Sequence, residues 1–166
     1  MMGHFFHASL MISILLCALV AGLVFAFSVV VMPGIAKSTD RNFLIAFRNI
    51  DEVIQKNQPL FMLVWVGSIF VVLATFALGT LYLSGVERLL LWFGSAVYLL
   101  GVQLPTAIYN IPLNNELQDF DVMTSSDSEL AEFRTEFEPS WNKWNKFRTM
   151  NSIVAVSTWV FLLFQL

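Results

Sequence analysis

Two runs of residues, 8–32 and 59–83, hold no charged side chain, and they constrain this chain more than any other feature. At 1.5 Å of rise per residue, each is long enough as a helix to cross a bilayer core of about 30 Å. A third apolar run covers 89–109 and a fourth 149–166. The spacing therefore predicts an all-α integral membrane four-helix bundle, read as a single domain over 1–166. Composition agrees: 57% of the chain is hydrophobic and 13% charged, where a soluble domain carries about 25% charged residues. A cleaved signal peptide is the competing reading of the first run. That run is longer than a signal h-region, and residues 1–7 hold no Lys or Arg. A true span is the expectation.

The segments between spans have their own patterns. In 37–57, Phe43, Phe47, Ile50 and Ile54 recur at i, i+4, i+7 and i+11. Arg41, Arg48, Asp51, Glu52 and Lys56 fill most of the remaining positions. This is an amphipathic helix, with Asp40 as its expected N-cap, lying in the interface or over the bundle mouth. Residues 84–88 read as a short polar turn between antiparallel spans. Segment 116–139 is acidic, and Ser125–Ser128 reads as a turn and helix cap. Leu130, Phe133 and Phe137 there suggest a second short amphipathic helix. In the first span, Pro33-Gly34 is expected to stop the helix. Ala18, Gly22 and Ala26 make a small-residue stripe that lets a neighbour approach. The first and third loops hold eight Lys and Arg residues and the second only Arg88. The positive-inside rule then places those two loops in the cytoplasm, with both termini outside.

Polar residues inside spans point to function. Gln103, Thr106 and, just beyond the third span, Asn110 follow at i, i+3 and i+7. Lipid offers them no partner, so the stripe is expected to face the interior. Pro105 cannot donate a hydrogen bond and collides with the carbonyl of Gly101, so a kink is expected there. Pro112 lies between Asn110 and Asn114. A turn is expected, its amides bonding freed backbone groups or a ligand. The stretch WNKWNKFRTMN, just before the last span, places Trp141, Trp144, Asn145 and Arg148 at i, i+3, i+4 and i+7 of a helix. Two indoles, an amide and a guanidinium then share a face at the mouth of a span. Arg148 near hydrocarbon needs a partner: Asp51 or Glu116, or an anionic ligand oxygen.

Several classes of chemistry find no support. The only histidines, His4 and His7, lie away from this corner, so an imidazole-based metal or haem site is not expected there. Cys17 is the single cysteine, so no internal disulfide or CxxC site exists. A net charge of −3 with no basic block gives no reason to invoke nucleic acid. No cofactor is expected from any motif.

The run Gly22–Gly34, then 43–59, then Asn110-Ile-Pro-Leu-Asn114, then Trp141-x-x-Trp-Asn-x-x-Arg148, resembles the DUF1772 family of small four-span membrane proteins. That family includes anthrone oxygenase-like proteins of polyketide pathways. Where its pattern carries Gln and Asn, this chain has Arg48 and Asp51, either a new ion pair or a changed ligand. The resemblance implies oxidation of a lipophilic phenolic ring by O₂ with no evident metal or flavin. Arg148, Asn110 and Asn145 would be donors to an enolate oxygen, Asp51 the base, and Trp141 and Trp144 the stacking surface.

Two function classes remain open from the sequence. One is a non-catalytic module that binds a lipophilic aromatic, lipid or quinone, or a partner subunit, through a pocket of Asn110, Asn114, Trp141, Trp144, Asn145 and Arg148. The other is an anthrone oxygenase-like enzyme in which Asp51 and Arg148 are catalytic. Partners under either are the bilayer and a lipophilic ligand, with a homo-oligomer or membrane complex as an option. Transport is the weaker third, since four spans and one short polar stripe give no continuous pore.

Overall fold

The computed structural model describes residues 2–166, which form five helices and no strand. These are α1 (Gly3–Ile35), α2 (Asp40–Gln55), α3 (Pro59–Tyr82), α4 (Gly85–Asp119) and α5 (Asp127–Gln165). All but α2 are long and apolar enough to cross a membrane. α1 packs on α3 and α5, and α4 packs on α5, so α5 is central. Large apolar side chains such as Phe70, Leu81 and Phe164 point outward, as lipid-facing positions do.

Two of the expected helix ends are absent. α1 runs through Pro33-Gly34 to Ile35, and α4 runs through Asn110 and Pro112 to Asp119. The reason is a wide, π-helical turn before each proline: Phe27–Val31 before Pro33, Leu99–Gln103 before Pro105, Thr106–Asn110 before Pro112. In each case the residue preceding the proline donates five residues back, Met32 to Phe27, Leu104 to Leu99 and Ile111 to Thr106. An α-turn would press the ring against the carbonyl four back. The wider turn draws that carbonyl aside and the helix continues. The corner expected at Asn110–Asn114 is therefore a helix.

Other expectations need correcting. The N-cap of α2 is Thr39, whose Oγ1 accepts from the Asn42 N–H; Asp40 is the first helical residue. Segment 84–88 is not a turn, because α4 already starts at Gly85 in a positive-φ conformation. The second short amphipathic helix is the first part of α5, which runs unbroken through Pro139 into the last span. Its start is a capping box, Ser126 with Glu129. Ala18 and Gly22 face outward, and a Cβ on Gly22 would meet nothing. Close approach occurs instead at Gly94, where a Cβ would lie 2.6 Å from Trp159 Nε1.

Two apolar cores result. The span core gathers Phe6, Leu10, Val72, Leu91, Tyr98 and Trp159. Interhelical hydroxyl contacts cross it: Ser13 to Thr75 at 2.8 Å and Ser68 to Tyr98 at 2.6 Å. The second core caps one end, with Met32, Phe43, Phe47, Leu117, Leu130, Phe137 and Trp141. Arginines staple the cap. Arg41 donates to the carbonyls of Val122, Met123 and Ser125. Arg134 donates to those of Ala36 and Ser38, pairs with Asp40 and Glu138, and lies over the Phe43 ring.

Candidate functional site

Between the span core and the cap core lies a cavity of about 260 Å³, to which all five helices contribute. Its apolar wall comprises Leu23, Val24 and Phe27 of α1, Phe47 and Ile54 of α2, Phe61, Met62, Trp65 and Val66 of α3, Ile111 of α4 and Trp141 of α5. Its polar groups are Asp51, Thr106, Asn110, Asn114, Asn145 and Arg148.

Arg148 is 5% exposed, and it makes no ion pair among the described residues. Neither Asp51 nor Glu116 is its partner. One terminal nitrogen donates to Thr106 Oγ1 at 2.9 Å and the other to Asn145 Oδ1 at 2.8 Å. Asn145 in turn donates to the Val24 carbonyl and to Ser28 Oγ. The guanidinium is thus fixed by neutral oxygens, and its Nε has no acceptor among the described residues. The Arg148 carbon centre lies 5.8 Å from the Trp141 ring centroid. A buried charge without a counter-ion is costly.

Asp51 is the reverse case. It is 3% exposed and has no cation partner; Arg48 does not pair with it. Three side-chain amides hold its carboxylate instead: Asn114 at 2.7 Å, Gln118 at 2.9 Å and Gln55 at 3.3 Å. Gln118 also donates to the Arg48 carbonyl. Asn114 completes a relay, because its Oδ1 accepts from Trp141 Nε1 at 2.8 Å. Asn110 donates to the Trp141 carbonyl at 3.4 Å, and its buried Oδ1 has no partner among the described residues.

The structure thus brings Asp51, Asn110, Asn114, Trp141, Asn145 and Arg148 to one cavity. Trp144 stands apart: it stacks on Tyr109 at 3.5 Å between ring centroids, on the outer side of α4 and α5. Sequence reasoning missed the α3 wall. Phe61 and Trp65, stacked at 5.4 Å, are an i, i+4 aromatic pair just after Pro59. That pairing was the available signal. Among the described residues no three His, Cys, Asp or Glu side chains gather.

The sequence profile described as anthrone oxygenase matches residues 47–158, which include every candidate site residue above. The chain belongs to the anthrone oxygenase family. This is the family also known as DUF1772. Comparison with curated proteins and with solved structures found no match. Within the anthrone oxygenase match lie the cavity-lining parts of α2, α3, α4 and α5; the α1 wall of Leu23, Val24 and Phe27 precedes it.

Proposed function

We propose that this protein is an oxygenase for an anthrone-type substrate, a fused-ring phenolic ketone with an acidic CH₂ group, bound in the cavity between the two cores. The observation that carries the reading is Arg148: a buried cation with an unused donor, in a cavity that is otherwise mostly apolar. An enolate oxygen would supply the missing charge and acceptor. Cavity size supports a compact ring system over a diacyl lipid, since about 260 Å³ falls just below the ligand-site range of roughly 300–1,000 Å³. Family membership points the same way.

The chemistry follows from those groups. Asp51 takes a proton from the ring CH₂, and the charge moves onto the ketone oxygen beside Arg148. Donors fixed by Thr106 and Asn145 need no reorganisation as that charge develops. The enolate passes one electron to O₂. Recombination of the carbon radical with superoxide makes the C–O bond, and the peroxide takes back the proton held by Asp51. Loss of the second C–H proton with O–O cleavage leaves a quinone carbonyl and water. Carbon loses four electrons and O₂ gains four. Trp141 and the Phe61–Trp65 pair supply faces for the rings.

An oxygen electrode tests this with purified protein and anthrone. Wild type is expected to show anthrone-dependent uptake, reduced about 100-fold or more in Arg148→Ala and comparably in Asp51→Asn. Folded wild-type protein that consumes no oxygen with anthrone ends the reading.

A further inference from the structure

Beside the cavity, and sharing four of its lining residues, lies an open groove of about 430 Å³. Leu23, Phe27, Ile54 and Phe61 line both spaces, so the cavity and the groove adjoin across these four residues. The outer part of the groove is lined by Ile50 and Val53, with Asn49 and Gln58 at its polar edge.

The exposure pattern along α2 shows that this side is open. Phe43, Phe47 and Ile50 belong to one helical face, at i, i+4 and i+7. Phe43 is 0% exposed and Phe47 2%, but Ile50 is 36% exposed, and its neighbour Val53 54%. The apolar face loses its cover in the last turns, because α2 packs mainly on α4 and α5. The groove's open side is thus rimmed by Ile50 and Val53, and Leu60 and Leu63 near the start of α3 add exposed apolar surface. Such a rim belongs against acyl chains, not water. The polar limit lies one turn away, where Lys56 pairs with Glu52 and holds its carboxyl below the ordinary range.

We propose that this groove, between the end of α2 and the start of α3, is a lateral entrance through which an apolar ring compound passes between the bilayer and the cavity. The entrance rests on the reading of the cavity as a binding chamber, but not on the reaction there. Ile54 and Phe61 form the partition. A lipophilic substrate partitions into the membrane, so a side door avoids its transfer through water. The quinone product leaves the same way.

A carbene-generating aryl diazirine tests this without any substrate, because the reagent concentrates in the bilayer. Protein in lipid nanodiscs is irradiated with it, and adducts are mapped by mass spectrometry. Wild type is expected to carry label on Trp65 and Trp141 inside the cavity. In Val53→Trp and in Ile50→Trp, which fill the groove from exposed positions, that label is expected to fall at least fivefold. Label on the outward-facing Phe164 stays constant. Leu63→Trp, likewise exposed on α3 but outside the groove, is expected to match wild type. Absence of cavity label in folded wild type overturns the entrance, as does cavity label undiminished in both groove variants. Oxygen uptake is scored separately, so a failed reaction leaves this result standing.

Discussion

Arg148 and Asp51 sit in one cavity without neutralising each other, and each is held by neutral groups. A structural ion pair would have placed them in contact. Both are buried charges without a counter-ion, but Asp51 accepts from three amides, whereas Arg148 has two acceptors and an orphan Nε, so burial is the less compensated at Arg148. The two residues therefore predict opposite stability effects. Arg148→Met, similar in length and apolar, is expected to keep or raise the thermal midpoint in detergent while abolishing oxygen uptake. Asp51→Ala removes the shared acceptor of three amides, leaving Asn114 Nδ2 with none while Gln55 keeps Asn115 and Gln118 keeps the Arg48 carbonyl, and is expected to cost about 1–3 kcal/mol. A midpoint for Arg148→Met several degrees below wild type would show that the guanidinium is structural. Trp144 shows how far residue spacing can be trusted. Relative to Trp141, Asn145 and Arg148 lie about +40° and −20° around a helix, but Trp144 lies about −60°. Position alone leaves it at the edge of the face, and Tyr109 draws it outward.

The elements were legible wherever hydrophobic periodicity decided them. Both charge-free runs are spans-length helices, and Phe43 and Phe47 face the core of the cap. Of the stripe Gln103, Thr106 and Asn110, the last two are buried and Gln103 is half-buried, donating to Tyr98 Oη, because hydrocarbon leaves amides and hydroxyls no other option. The two helix ends that are absent share one cause: Pro33 and Pro112 read as breaks. Pro33, Pro105 and Pro112 each follow a wide turn, and one extra residue is invisible to a pattern that assumes 3.6 per turn. That coupling is testable by rescue. Deleting the exposed Ala107 shortens the turn before Pro112 and forces its ring toward the carbonyl four residues back. The deletion is expected to cost about 3 kcal/mol, and Pro112→Ala in the same chain to restore most of it. Equal cost in both backgrounds, read as thermal midpoint, would mean the wide turn exists for the site and not for the proline.

At the scale of the whole molecule, both cores, the cavity and the groove depend on one end of the bundle being capped while the other is left bare. The cap carries almost all the basic charge. Lys37, Arg41, Arg48, Lys56, Arg134, Lys143 and Lys146 lie on that side; the opposite end holds only Arg88, in the first turn of α4, which bonds the Leu83 carbonyl. Arg148 leaves the loop tally, because it is buried inside the bundle. Seven against one still predicts a cytoplasmic cap. That orientation would put the cavity at the inner leaflet and the proposed side opening against inner-leaflet lipid. Single-cysteine chemistry decides the orientation cleanly, because native Cys17 is fully buried. Lys56→Cys, on the cap, is expected to react with a membrane-impermeant maleimide only after cells are permeabilised. Ser84→Cys, at the N-cap of α4 on the opposite end, is expected to react in intact cells. The reverse pattern would place the cap outside, and an apolar substrate would then have to cross to the outer leaflet before it could reach Arg148.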